Sequence, residues 1–199
     1  MRRVVIVPGN GSGCASSNFY PWLAAALRAR GHEVVLREMP DADRARRRFW
    51  MPFVREMLRG DEGAVLVGHS SGALAGLRVG EEARLHGLIL VSATPSDLGD
   101  TNERLSGFYE EGTEDSSPWR WAAVRANVEH VALFASTDDP FIPLALQRSV
   151  RDSLAAAGAP GASGAFEYVE LARRSHFFGE EQPEILAAVS RIAAAPARP

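Results

Sequence analysis

The sequence predicts an α/β fold: a mostly parallel central sheet of about six strands with helices on both faces. Three observations predict it. Short apolar runs recur along the chain, at residues 4–7, 34–36, 64–67, 88–91, 131–135 and 166–170. Several are apolar at consecutive positions, so both faces of those strands must be covered, as in a parallel sheet. Between them lie segments with helical periodicity, roughly 19–30, 42–59, 71–83, 143–157 and 183–194, and such alternation of strand and helix is the pattern of a doubly wound sheet.

Local signals support these elements. Pro21 and Pro183 suit first turns of helices, where a missing N–H costs nothing, and Gly31 suits the stop after the first helix. A length of 199 residues fits one domain, 1–199, with a real core. The one long irregular stretch, about 92–127, contains Phe108, Tyr109, Trp119 and Trp121 and reads as a small cap-like segment. The small-residue stretch 155–164 reads as a loop or frayed helix end, and 193–199 as a loose tail.

Composition narrows the function. Net charge is -3 and the isoelectric point about 6.0, so no basic surface points to nucleic acid or anionic lipid. All 22 basic residues are arginine, which we read with the alanine-rich segments as genome composition. The single cysteine, Cys14, permits no internal disulfide and fits a cytoplasmic location; it reads as an unpaired loop thiol, with a place near the mouth of a pocket as the alternative. The apolar run before Pro8 has four residues, too short for a signal h-region or a membrane span. No spacing of His, Cys or Asp completes a metal-ligand set, and the acidic stretch 110–115 reads as a solvated loop.

The chemistry centres on residues 65–72, an apolar strand running into Gly68-His69-Ser70-Ser71-Gly72. In a G-x-S-x-G elbow a serine sits at the apex of a tight strand-to-helix turn, and the glycines remove Cβ atoms that would clash. The turn lifts the hydroxyl above the sheet and puts it at a helix N-terminus, where negative charge is favoured. Five residues alone are a weak signal; the strand before them and the Ala/Leu-rich helical pattern after them strengthen it. Ser70 is the candidate nucleophile. A serine nucleophile needs a base, and the base needs an orienting carboxylate. The order Ser, Asp, His is offered by Asp138-Asp139-Pro140 after the fifth strand and by His176 after the sixth. Strand C-termini share one edge of the sheet, so these loops are expected to converge.

Of the five histidines, His32 and His86 lie near strand starts at the far edge, His130 precedes a strand, and His69 is expected to point away from the apex. His176 is therefore the candidate base. Asp139 is the candidate carboxylate, with the adjacent Asp138 as competitor. Pro8-Gly9-Asn10-Gly11 follows the first strand, where the Asn10 amide is the expected oxyanion donor, paired with the amide of Ser71. The glycines complete neither a P-loop, which needs a lysine, nor a dinucleotide fingerprint. No cofactor is implied.

With these residues in view, the chain resembles the small serine hydrolases typified by retinoblastoma-binding protein 9, with bacterial relatives of the YdeN type. The resemblance is carried by Val7–Gly11, Trp50-Met51-Pro52-Phe53, Gly68–Ala73, Val91-Ser92-Ala93, Ser96–Asp100, Asn102-Glu103-Arg104, Pro118-Trp119-Arg120-Trp121, Ser136–Phe141 and His176-Phe177. It implies a minimal α/β-hydrolase fold without a large lid, and esterase or aminopeptidase-like activity on small substrates. The implied triad falls on Ser70, Asp139 and His176. Two positions depart from the family pattern: Ser175 stands where glycine usually precedes the histidine, and Ala135 where glycine is common. The retinoblastoma-binding motif L-x-C-x-E is absent, since Cys14 lies in Gly13-Cys14-Ala15-Ser16, so that partner is not implied.

The expected partner is a small ester or amide. Phe108, Trp119, Trp121 and Phe177 are candidate pocket walls, and equally candidates for a core under the cap. Arg104, Arg120 and Arg125 suit either a substrate carboxylate or solvent. The alternative function is a protein-binding module that keeps the fold with little activity; an acyltransferase or carbon–carbon hydrolase uses the same triad.

Overall fold

A computed structural model describes residues 1–11, 14–158 and 164–197. Ser12 and Gly13 of the glycine-rich loop, residues 159–163 of the expected loop and the last two residues of the expected tail lie outside the described residues. Six strands form one parallel sheet: β1 Arg3–Val7, β2 Glu33–Leu36, β3 Val65–His69, β4 Leu85–Val91, β5 Val128–Ser136 and β6 Ala165–Leu171. Their order is β2-β1-β3-β4-β5-β6, every neighbouring pair parallel. Among the described residues six helices lie between the strands, α1 Tyr20–Ala29, α2 Arg47–Leu58, α3 Ser71–Glu82, α4 Thr101–Leu105, α5 Trp121–Asn127 and α6 Leu144–Ala156, and a seventh, α7 Pro183–Ala194, follows the last strand.

The period-two geometry of the strands sorts the core into two layers. Val5, Val7, Leu66, Leu88 and Leu90 face one side, with residues of α2, α3, α5 and α6. Val4, Ile6, Val65, Val67 and Ile89 face the other, with α1 and α7. Each buried aliphatic side chain contributes about 1.5–3 kcal/mol relative to exposure. No described helix is long and apolar enough to cross a membrane.

The elements differ from expectation in three places. β4 and β5 begin three residues earlier than their apolar runs, because Leu85-His86-Gly87 and Val128-Glu129-His130 pair with each other in register despite their polar side chains. His86 and His130 therefore lie inside strands. The second helix begins at Arg47, five residues late: Asp41 and Ala45 are left-handed, at φ 52° and 46°, and the Asp41 carboxylate accepts from the Arg46 amide and guanidinium. That local chelate holds residues 41–45 in a turn although their composition suits a helix. The segment 92–127 contains α4 and α5 and folds onto α3. There buried Arg78 donates to the carbonyls of Phe108, Ser117 and Pro118 and pairs with Glu81 at 3.0 Å.

The elbow leaves no room for side chains. A Cβ on Gly68 would lie 2.2 Å from the Gly72 carbonyl oxygen, and one on Gly72 would lie 2.2 Å from the Val7 carbonyl oxygen. Both obstacles are backbone, so neither moves cheaply. Gly72→Ala is expected to destabilise the fold by more than about 2 kcal/mol, at the upper end of ordinary point mutations. Urea unfolding measures it, and a change below about 0.5 kcal/mol would contradict the packing described.

Candidate active site

Ser70 stands between β3 and α3 with φ 54° and ψ -121°, a region that a non-glycine residue enters only under strain. Its amide donates to the Val91 carbonyl at 2.9 Å, anchoring the apex to β4. Ser71 opens α3, so its amide is one of the N-terminal donors that the helix itself leaves unpaired. Gly9 packs against the apex from the β1 loop: a Cβ there would meet Ser70 Cβ at 3.0 Å. The amides of Gly9 and Gly11 donate to the Tyr20 hydroxyl and the Ala42 carbonyl, and Asn10 between them lines the cavity above Ser70.

Asp139 and His176 meet from the loops after β5 and β6. Asp139 Oδ2 lies 2.8 Å from His176 Nδ1, with the Asp139 side chain fully buried. Ser92, itself buried and left-handed at φ 51°, donates its hydroxyl to the same oxygen at 2.9 Å. The amides of Phe141 and Ile142 donate to the other carboxylate oxygen, each at 3.0 Å. Burial pushes the Asp139 carboxyl up, but the His176 hydrogen bond and charge and the two amides outweigh it and hold the group below the ordinary carboxylate value. The result is an anionic carboxylate fixed on all sides. With Nδ1 engaged, an imidazole so held offers Nε2 for proton transfer.

The adjacent Asp138 does something else. It is exposed, and its Oδ1 accepts from the Ser136 hydroxyl at 2.7 Å and from the amides of Arg174 and Ser175 at 3.2 and 3.3 Å. It thus clamps the histidine loop to the β5 loop. That loop is left-handed at Arg173, Ser175 and Phe177, with φ of 60°, 50° and 55°. The left-handed φ of Ser175 explains why glycine suits the position before the histidine.

His69 points beneath the apex into the protein. Its Nε2 lies 2.9 Å from the His176 carbonyl, which only accepts, so Nε2 carries the hydrogen. Nδ1 then accepts from the Tyr20 hydroxyl at 2.6 Å. Burial, and then the neighbouring His176, push the His69 pKa down to about 3. A neutral ring therefore joins the β1 loop, the elbow and the histidine loop through Tyr20, Gly9 and His176. The sequence signal for His69 was only its place beside Ser70. Tyr20 carried no signal beyond residue type, and Ser92 only its place in Val91-Ser92-Ala93 at the end of the fourth strand.

Ser70, Ser71, Asn10 and His176 all line one cavity of about 480 Å³. The structure records no hydrogen bond between Ser70 Oγ and the His176 ring among the described residues. The four aromatic residues expected as walls lie elsewhere. Phe108 is buried against Trp50, Trp119 stacks on Trp121 and covers Arg78, and Phe177 joins the core beside α1 and α7. Phe108, Trp119 and Trp121 pack on the main core because Arg78 draws the 92–127 segment down onto α3, whereas Phe177 packs in the layer on the other face of the sheet. Tyr109, Leu98, Phe141 and Phe178 line the cavity instead. Arg104, Arg120 and Arg125 are outside it and engage Asp97, Glu81 and the Gly164 carbonyl. Cys14 also lies outside it, with Sγ near the hydroxyls of Ser16 and Ser17.

A family model described as serine hydrolase matches residues 4–164. The chain belongs to the serine hydrolase family. It is 40% identical over 192 residues to serine hydrolase RBBP9 of Rattus norvegicus, an alignment covering 96% of this chain and 95% of that protein. It resembles the solved ydeN gene product of B. subtilis, with TM-score 0.81, 22% identity, and 98% and 100% of the two chains covered. It also resembles an esterase from Pyrococcus furiosus, with TM-score 0.65, 10% identity, and 96% and 80% covered. The fold is that of the α/β hydrolases, and family membership supports hydrolase activity.

The buried His69 gives this serine hydrolase a testable acid sensitivity. The folded ring stays neutral, whereas the unfolded ring binds a proton below about 6.5. Between about pH 3 and 6.5 the unfolded state holds more protons, so stability rises with pH there and is lost as pH falls through that window. The urea midpoint is expected to drop steadily below about pH 6.5. His69→Gln is expected to flatten that slope while lowering the midpoint at neutral pH; an unchanged slope would remove His69 as its cause.

Proposed function

We propose that the protein hydrolyses small esters or amides through Ser70, His176 and Asp139. The observation that carries this reading is the 2.8 Å His176–Asp139 bond, formed on a fully buried carboxylate, in the cavity that holds the strained Ser70. His176 Nε2 takes the Ser70 proton as Oγ attacks the carbonyl carbon. The oxyanion accepts hydrogen bonds from the Asn10 and Ser71 amides, each such donor lowering the barrier by about 3–4 kcal/mol. The imidazolium returns its proton to the leaving group and the acyl-enzyme forms. Water, deprotonated by the same ring, then releases the acid and regenerates Ser70. A binding module has no use for a buried carboxylate saturated with donors and aimed at an imidazole, so the enzyme reading stands first.

Two features of the cavity support a substrate class. Glu103, Asp100 and Asp43 line it, and no arginine does among the described residues. Glu103 accepts from the Asn10 side chain at 3.0 Å and from the Tyr109 hydroxyl at 2.7 Å, which places a carboxylate one side chain from the oxyanion loop. A carboxylate wall there favours an acyl group bearing an ammonium. On the other side, Phe141 and Phe178 stand edge-on to the His176 ring, with centroids 5.2 and 5.3 Å away. They are 57% and 47% exposed, so a substrate can cover them. The leaving group takes its proton from His176, so these rings favour an apolar leaving group.

Labelling with a fluorophosphonate probe tests the mechanism. Wild type is expected to label and Ser70→Ala not to; absence of labelling in folded wild type removes the mechanism. Asp139→Asn is expected to lower kcat about 10³–10⁴-fold, since a carboxylate that fixes the ring's tautomer is lost, and also to lower stability, since the amide NH2 it introduces faces groups that donate to the buried carboxylate. For specificity, benzyl 2-aminobutyrate is expected to exceed benzyl butyrate in kcat/KM by about tenfold, or about 1.4 kcal/mol. The gap is expected to shrink in high salt, because Asp43 and Asp100 are exposed. An equal or reversed ratio rejects the ammonium assignment and leaves the labelling result untouched.

A further inference from the structure

β4 ends between the loops that carry Ser70 and Asp139, and its end touches both. Val91 closes the strand, and its carbonyl accepts from the Ser70 amide at 2.9 Å. Ser92 follows. Its amide donates to the Phe134 carbonyl of β5 at 3.0 Å, and its hydroxyl donates to Asp139 Oδ2 at 2.9 Å. Two consecutive residues thus hold the elbow that leaves β3 and the carboxylate that leaves β5.

The two oxygens of Asp139 are held in different ways. Oδ1 accepts from the amides of Phe141 and Ile142, which belong to the same loop and fix the carboxylate only relative to that loop. Oδ2 accepts from His176 Nδ1 at 2.8 Å and from the Ser92 hydroxyl. Gln147 Nε2 stands farther from Oδ2, at 3.5 Å, and donates to the Ile142 carbonyl at 3.0 Å. Ser92 therefore ties the ring-facing oxygen to the end of β4. Its backbone is a second observation. Ser92 is fully buried at φ 51°, a conformation that glycine adopts freely and serine only at a cost. A left-handed turn by itself is best made by glycine; what the serine adds is the hydroxyl on Asp139. We propose that Ser92 is a positioning residue of this hydrolase: its hydroxyl orients the Asp139 carboxylate toward His176, and with Val91 it sets that pair against Ser70. The proposal rests on the roles proposed above for Ser70, His176 and Asp139.

Ser92→Ala and Ser92→Gly separate the hydroxyl from the turn. Both remove the hydroxyl, and glycine also relieves the backbone, so Ser92→Gly is expected to resist urea at least as well as Ser92→Ala. With p-nitrophenyl butyrate as substrate, both are expected to lower kcat about tenfold while KM stays within about twofold. That is the loss of one hydrogen bond to a charged group, acting on the base and not on binding. Wild-type kcat in Ser92→Gly makes Ser92 a turn residue and overturns the proposal; so does a loss confined to KM. The low-field proton resonance of His176 Nδ1–H gives a reading that needs no turnover. Its displacement in both folded variants supports the proposal, and a resonance left at the wild-type position overturns it. Wild type that neither labels with the fluorophosphonate nor cleaves the ester removes the hydrolytic roles, and the resonance then judges Ser92 by itself.

Discussion

Three backbones meet at Ser70 with no space for a methyl group. The strand end β1, the elbow and the first turn of α3 approach so closely that Gly68 and Gly72 each face a carbonyl oxygen where a Cβ would stand. This contact presses α3 onto the sheet, sets Ser71 as the first helical residue, and puts the β1 loop beside the apex through Gly9. The unfavourable backbone at Ser70 costs about 1–3 kcal/mol. That cost is offset by what surrounds it, because β3 and α3 are buried along almost their whole length. The strain is therefore held by the core.

The polar groups of the site depend on the same contact, through one neutral ring. His69 can reach both Tyr20 and the His176 carbonyl only because the elbow turns its side chain under the apex. Its burial removes any competition for a proton and leaves a fixed donor on one side and a fixed acceptor on the other. His176, above it, touches a buried carboxylate by one nitrogen. Two histidines with ring centroids 4.9 Å apart thus have different surroundings: one is a strut between loops, the other is held by an anion. Loop backbones carry the same division. Asp138 clamps the histidine loop and Asp139 meets the ring, because the turn after β5 sends the two adjacent side chains in different directions.

Much of the architecture was legible in the sequence, since parallel strands buried on both faces write themselves as apolar runs. The runs understated β4 and β5, whose first residues carry His86, Glu129 and His130. Edge polarity hid strand geometry there, since register with a neighbour and not hydrophobicity extends the pairing. Residues 42–46 read as helix because their propensity is good, yet the Asp41–Arg46 chelate outweighs it. The candidate site residues carried signals of motif and order. What was hidden was the support around them: Ser92, Tyr20 and Asp138 act through contacts between segments far apart in the chain. The aromatic residues of 92–127 looked alike as wall or core. A buried arginine beneath them decides the matter, and nothing in the sequence marks Arg78 as buried.

The strand order places the whole arrangement. From β1 the chain builds outward in one direction to β2 and then in the other through β3 to β6, so the winding reverses between β1 and β3. At such a reversal the loops leaving two adjacent strands part to opposite faces and open a crevice beyond their C-terminal ends. Asn10 leaves β1 and Ser70 leaves β3 at that crevice, so one expected oxyanion donor comes from each side of it. Asp139 and His176 come from β5 and β6, with β4 between them and β3, and Ser92 at the end of β4 closes the gap by donating to Asp139. Every strand from β3 to β6 therefore contributes at its C-terminal end, and the parallel sheet turns a separation of over a hundred residues in sequence into adjacency along one edge. An antiparallel sheet of the same strands would deliver half of these groups to the opposite edge, where the structure instead holds His86 against Glu129.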